Sequence, residues 1–172
     1  MTADDLIFGL PPILGNTPKL LILGSMPSVK SITYQQYYAH PQNAFWPIVA
    51  KLFGFTLSAD YLENIATLKQ QKVAVWDVLA SCERKGSLDS AIVKTTEVVN
   101  PVAKLLINQP SIKTVALNGG AAYSIFRRHH KSLFDQDNLK IVQLPSSSPA
   151  HATLRLAQKQ DTWQQLLEIA NL

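Results

Sequence analysis

Lys19-Leu20-Leu21-Ile22-Leu23-Gly24-Ser25-Met26-Pro27-Ser28 is an apolar run that stops at a glycine and enters a turn whose path a proline fixes. Residues 19–23 lack polar alternation, so they read as a strand buried on both faces. Residues 73–78 and 114–117 repeat the pattern, the second closed by Asn118-Gly119-Gly120, and residues 140–144 supply a fourth strand broken by Pro145 and serines. Helical spacing fills the gaps. Phe45, Ile48, Val49 and Leu52 share one face of a helix over 44–52, and Ser58 is placed to cap a second helix running to about Gln70. Asn100-Pro101 starts a shorter helix through Ile107, and further helices are expected over 121–130 and 154–170, the last burying Trp163, Leu166, Leu167 and Ala170. Strands alternating with helices predict an α/β fold whose parallel sheet is covered on both faces. Ligands of such folds bind beyond the carboxyl ends of the strands. The segments to inspect are therefore 24–43, 79–89, 118–120 and 145–151.

A chain of 172 residues with 47% hydrophobic and 16% charged residues fits a single domain, 1–172, with one core. No apolar run is long enough to span a bilayer, and Met1 to Asp5 lack the basic and apolar regions of a secretory signal, so a cytoplasmic location is expected. Cys82 is the only cysteine. That excludes an internal disulfide and any iron–sulfur or zinc site built on several thiolates, and it favours a structural thiol over a nucleophile. The formal charge of +4 fits a polyanion partner such as nucleic acid. The cations cluster at Arg127-Arg128-His129-His130-Lys131 and Arg84-Lys85, while Lys30 and Arg155 flank other loops. The first cluster equally suits a solvated helix end.

The glycine turn lacks the spacing of a phosphate-binding P-loop and of a nucleophile elbow, so Ser25 and Ser28 read first as turn residues. Tyr37-Tyr38-Ala39-His40-Pro41-Gln42-Asn43-Ala44-Phe45-Trp46 packs four aromatics, a histidine and two amides into ten residues. Aromatic faces stack on bases and amides read their edges. Phe45 and Trp46 equally suit the core, and Asn43 equally suits a helix cap. Pro145-Ser146-Ser147-Ser148-Pro149-Ala150-His151 is a rigid, hydroxyl-rich loop able to grip phosphate or simply to connect strand to helix. Asp77 ends a strand, where an acid or base, a cap or an ion pair all fit.

Together these segments resemble the uracil-DNA glycosylase superfamily, and most closely its hypoxanthine-DNA (deoxyinosine) glycosylase branch. The resemblance rests on residues 24–28, on the Tyr37 to Trp46 block, on Trp76-Asp77-Val78 with Ser81-Cys82-Glu83-Arg84, on Gly86-Ser87-Leu88-Asp89, and on residues 144–151. It implies a three-layer αβα sandwich around a four-stranded parallel sheet. It also implies hydrolysis of an N-glycosidic bond in DNA without metal or organic cofactor. Carried over, Asn43 is the catalytic residue, orienting water or stabilising the departing base. Phe45 stacks on the flipped base, with Gly24, Ser25, Met26, Tyr38 and Leu144 completing its pocket. Ser146, Ser147, Ser148, Pro149, His151 and Arg155 contact DNA.

Met26 stands where uracil-excising branches carry a polar Asp or Asn, and Leu144 where they carry His or Asn. Both departures favour a deaminated purine over uracil. The expectation is a monomeric glycosylase acting on deoxyinosine in DNA. Its rivals are a lesion-binding module that has lost catalysis, a mismatch uracil glycosylase, and a hydrolase of small nucleosides or esters using Ser25 or a serine of 146–148.

Overall fold

The computed structural model describes residues 5–172; the first four, part of the stretch read above for a targeting signal, lie outside them. In chain order the elements are β1 (Leu6–Phe8), β2 (Leu20–Gly24), α1 (Val29–Tyr34), α2 (Phe45–Phe53), α3 (Tyr61–Gln70), β3 (Val73–Asp77) and β4 (Leu79–Glu83). There follow β5 (Val98–Val99), α4 (Val102–Asn108), β6 (Thr114–Asn118), α5 (Gly120–His129), β7 (Lys140–Leu144), α6 (Leu156–Trp163) and α7 (Gln165–Ile169).

The four expected strands form one parallel sheet in the order β3-β2-β6-β7. Every residue of β2, β3 and β6 is buried, so both faces are covered, as their uninterrupted apolar character requires. The outer edge of β3 is closed by Ile13, which exchanges backbone hydrogen bonds with Val75 at 2.8 and 3.0 Å. Register decides the rest. Leu20 pairs with both Val73 and Thr114, and Thr114 with Lys140, so the strands end level. Gly24, Asp77, Asn118 and Leu144 therefore share one carboxyl edge.

A second, antiparallel sheet, β1-β4-β5, departs from the expectation that residues 79–89 form a loop. Val78 is the only residue between β3 and β4. Its N–H donates to the Gly24 carbonyl (2.8 Å) and that of Leu79 to the Ser25 carbonyl (3.1 Å). Asn100 steadies the bend, its Nδ2 donating to the carbonyls of Asp77 (2.9 Å) and Leu79 (3.1 Å). β4 pairs with Leu6–Phe8, far away in sequence, so local pattern could not announce it. Three smaller departures are also tertiary or capping effects. A short helix, α1, occupies part of the first loop, with Ser28 as its cap. Asp60, not Ser58, caps α3, its Oδ1 accepting from the Leu62 N–H at 2.9 Å. The last helix begins at Leu156 and breaks at Gln164 into α6 and α7.

Ile22 lies at the middle of the central strand and is fully buried. Ile22→Ala should cost about 2–5 kcal/mol, read as a lowered urea midpoint with an unchanged m-value.

Candidate active site at the carboxyl edge of the sheet

The strand ends floor a cavity of about 90 Å³. Gly24, Asp77 and Asn118 form its base. Its walls are the turn Ser25 to Ser28, Tyr37 and Tyr38 with Asn43, the serines 146–148, and Ser87 with Asp89. Ser87, Asp89, Ser146 and Ser148 also line a wider groove of about 910 Å³, which runs past Gly119, Gly120, Leu144, Pro145 and His151. A small polar cavity thus opens beside a long shallow one.

Aromatic packing controls the cavity's interior. Phe45, the first residue of α2, is fully buried. Tyr38 lies flat on it, ring centroids 3.9 Å apart and planes 16° from parallel, while Trp46 and Trp163 meet Phe45 edge-on. Asn118 Nδ2 donates to the Tyr38 hydroxyl at 3.1 Å. Tyr38 reaches this position with φ of 56°, in the left-handed region that a bulky side chain rarely adopts. Of the two aromatic residues among those predicted to form the base pocket, Tyr38 therefore faces the cavity and Phe45 lies behind it.

Asn43 lines the cavity two residues before α2. Its Oδ1 accepts from the Phe45 N–H at 3.0 Å, and its own N–H donates to the His40 carbonyl at 2.9 Å. Asn43 is therefore not the N-cap that its sequence position suggested; Ala44 holds that place, and Asn43 bonds the first helical N–H from one residue earlier. With its carbonyl oxygen used in that bond, Asn43 is left with the Nδ2 amide hydrogens to offer a ligand.

The floor carries an unusual acid. Asp77 is 3% exposed, and its Oδ2 has no hydrogen-bond partner. Burial, reinforced by the nearby Asp89 and opposed by Arg84, pushes its carboxyl up to about 7. Burial also raises Asp89, against the Ser25 hydroxyl, which donates to Asp89 Oδ1 at 2.5 Å, and against Arg84. Arg84 itself is buried: Nη2 donates to the Pro27 carbonyl (2.5 Å) and Nε to that of Gly86 (2.8 Å). It therefore fixes the Gly24 turn from within and is not part of a cationic surface with Lys85. Ser25 is likewise engaged with Asp89 as well as sitting in a turn.

The serine loop is locked onto the strand ends. Asn118 Nδ2 donates to Ser147 Oγ (2.8 Å), the Ser147 N–H donates to Asn118 Oδ1 (2.9 Å), and the Ala44 N–H donates to the Ser147 carbonyl (2.9 Å). Ser147 is 1% exposed, and these bonds tie it between β6 and α2. The buried Lys159 holds the next residue, its Nζ donating to the Ser148 carbonyl at 3.2 Å.

A model of the uracil DNA glycosylase superfamily matches residues 11–167. The chain belongs to that superfamily. A protein named hypoxanthine DNA glycosylase from Methanosarcina acetivorans is 35% identical over 144 residues, covering 83% of this chain and 87% of that one. Its namesake from Methanosarcina barkeri is 37% identical over 112 residues, 64% of this chain and 70% of that one. A solution NMR structure from Methanosarcina acetivorans, described as a candidate uracil DNA glycosylase, superposes with a TM-score of 0.80 at 29% identity, covering 97% of this chain and 99% of that chain.

Within this superfamily member, the structure brings Gly24, Ser25, Met26, Tyr38 and Asn43 to one cavity and adds Ser146, Ser147 and Ser148 from the opposite side. Leu144, 1% exposed, lines the groove and not the cavity, as do Ala150 and His151. Pro149 and Arg155 are exposed on the same connection, Arg155 just before α6. Arg128 and His129 are paired with Glu97 at 2.7–2.8 Å, which satisfies part of the main basic cluster internally. Cys82 is fully buried and its thiol is raised by that burial, as a structural cysteine should be. Among the described residues no group of three or more metal-ligating side chains converges, and no helix is long and apolar enough to cross a membrane. Sequence reading left out Asn118 and Asp89, and it left Asp77 undecided. Asn118 ends its apolar run as Asp77 ends its own, and that position was the available signal.

Burial, with Asp77 nearby, pushes the Tyr37 and Tyr38 phenols far above their usual range. Tyr37→Phe and Tyr38→Phe should each leave the phenolate absorbance developed by the folded protein up to about pH 11 unchanged. A lost increment at 295 nm on either substitution would contradict the packing described.

Proposed function

We propose that the chain is a DNA N-glycosylase that releases hypoxanthine from deoxyinosine, leaving an abasic site, and that it acts as a monomer without metal or cofactor. The observation that carries this reading is the seat now filled by Tyr38. A flat ring lies against Phe45 while an oxygen at its edge accepts a hydrogen bond from Asn118. A flipped purine with a carbonyl at its edge fits that description once Tyr38 swings off, and two relatives named hypoxanthine DNA glycosylase support the choice of base. Flipping costs a few kcal/mol and less for a mispaired base such as hypoxanthine.

In this reading Asn43 is the catalytic amide. With Oδ1 held by the Phe45 N–H, its Nδ2 donates to the base as negative charge develops, or holds the attacking water. Water then adds to C1′ of an oxocarbenium-like sugar. Met26 supplies an apolar wall, consistent with weak action on uracil. The groove past Leu144, Ser146, Ser148 and His151 takes the DNA backbone, with Pro149 and Arg155 at its outer side. Ser147 supports that loop from within.

Duplexes carrying deoxyinosine, deoxyuridine or deoxyxanthosine, incubated with the protein and cleaved with alkali at abasic sites, test the reading. Strand breaks are expected with deoxyinosine foremost. Salt-dependent binding to all three with no breaks would instead identify a lesion-binding module. Asn43→Ala should slow release from the inosine duplex by about 10²-fold or more, as expected for loss of a preorganised donor. An unchanged single-turnover rate would remove Asn43 from the chemistry.

A further inference from the structure

Asp77 is a buried carboxyl group at the bottom of the cavity with one oxygen left without a partner. A buried polar atom without a partner costs stability, and natural folds rarely retain one without a use. The neighbouring groups do not satisfy it. Asn100 Nδ2 bonds the Asp77 backbone carbonyl, not its side chain. The Ser25 hydroxyl goes to Asp89, and the Arg84 contacts go to the carbonyls of Pro27 and Gly86. Gly24 clears the space in front of the carboxyl, since a methyl group there would stand 2.5 Å from Oδ1. The Asp77 carboxyl therefore lines the cavity, with Oδ1 behind the space that Gly24 leaves and Oδ2 buried without a protein partner.

We propose that the Asp77 carboxyl donates a proton to the departing purine as its bond to the sugar breaks. This rests on the glycosylase reading above. The need is chemical. A purine expelled without protonation leaves as an anion, and neither an amide nor an apolar wall neutralises it. The proton passes from the Asp77 oxygen to a ring nitrogen, while the C1′–N9 electron pair stays with the base. Water adds its oxygen to C1′ and releases a proton to solvent, from which Asp77 is recharged. Base, abasic sugar and acid then balance. Asn43 at the other side of the cavity remains the donor to the base or the holder of water.

The titratable groups facing Asp77 are Asp89 and Arg84, beyond β4, and the phenols of Tyr37 and Tyr38, from the loop before α2. Asp89 and burial favour the protonated carboxyl and Arg84 opposes them, so Asp77 keeps its proton up to about pH 7. Activity that needs this proton declines above that pH. Stability follows the same sign. The folded chain holds a proton that the unfolded chain gives up in the ordinary carboxylate range, so burial of Asp77 destabilises increasingly as pH rises to about 7. Asp77→Asn, uncharged and nearly isosteric, is free of that penalty and should melt no lower than wild type at alkaline pH.

The experiment is single-turnover release of hypoxanthine from a deoxyinosine duplex by the full chain, between about pH 5.5 and 9. Wild type, Asp77→Asn and Asp77→Glu are compared, with affinity for the same duplex measured in parallel. The wild-type rate should fall above about pH 7, and Asp77→Asn should be slower by about 10²-fold or more with no such decline. Asp77→Glu, which retains an acid, should recover part of the rate together with the alkaline decline. Asp77→Asn within about tenfold of wild type, or keeping the decline, would overturn the proposal. Should that variant fail to bind or fold, the wild-type profile decides, and a level rate across the range overturns the assignment. A wild type that releases no hypoxanthine at any pH defeats the glycosylase reading as well, whereas an active wild type with a level profile defeats only the role of Asp77.

Discussion

At the carboxyl edge of the sheet, parallel register sets Gly24 level with Asp77, and the space above them exists because residue 24 has no side chain. A methyl group there would lie 2.5 Å from Asp77 Oδ1 and 3.1 Å from the Tyr38 hydroxyl. Conformation does not demand the glycine, since its φ lies outside the left-handed region. Close approach does. The acid and the phenol, which a side chain would hold apart, thereby share one small volume, and the Asn118 amide joins them through its bond to the phenol. The Gly24 carbonyl then receives the Val78 N–H, so the same residue also turns the chain from the parallel sheet into the antiparallel one.

The floor of this volume is costly to maintain. An acid with an unpaired oxygen, a second acid and a buried guanidinium lie within mutual influence, and each is displaced from its usual ionisation by burial first of all. Arg84 offsets some of the repulsion between the carboxyls, yet its direct bonds go to backbone carbonyls, so it stabilises the turn as much as the charge. Asn118 is similarly shared. Its Oδ1 and Nδ2 together fix Ser147, and Nδ2 also reaches Tyr38, so the floor of the cavity and the serine loop are tied together. Such coupling holds the serine loop in register with a site only a few atoms wide.

Much of this was legible in residues 19–28, 73–78, 114–120 and 140–151, because uninterrupted apolar strands ending in glycine, asparagine or proline admit few architectures. The chemistry-bearing loops were legible for the same reason, since a parallel sheet gathers its functional residues at one edge. What local pattern could not disclose was pairing over distance. β4 was read as a loop because its β1 partner lies more than seventy residues earlier, and Arg84 was grouped with Lys85 as a cationic cluster because one of its acceptors, the Pro27 carbonyl, sits on a turn fifty-seven residues away. Phe45 shows the same limit in another form. Its helical spacing fitted both a core residue and a base platform, and the fold makes it a fully buried core residue with another aromatic ring stacked flat on it.

That covering ring bears on how the site would choose its guest. At about 90 Å³ the cavity is far below the ~300–1,000 Å³ usual for small-molecule pockets, so a bicyclic base of the proposed kind would enter only as Tyr38 left. Tyr38 gives up a stack and one hydrogen bond, and it also escapes a left-handed backbone conformation that costs roughly 1–3 kcal/mol in non-glycine residues. Under the proposed reading, the incoming base would recover the stack on Phe45 and the Asn118 bond. The exchange inside the protein is thus near balance, which leaves the selection to the two remaining differences: how readily the base leaves its own duplex, and what its edge finds at the unpaired oxygen of Asp77. A mispaired base leaves at low cost. The acid beneath Tyr38, which the phenol does not engage, is then the group for which a nitrogen-rich edge has more to offer than the tyrosine it displaces.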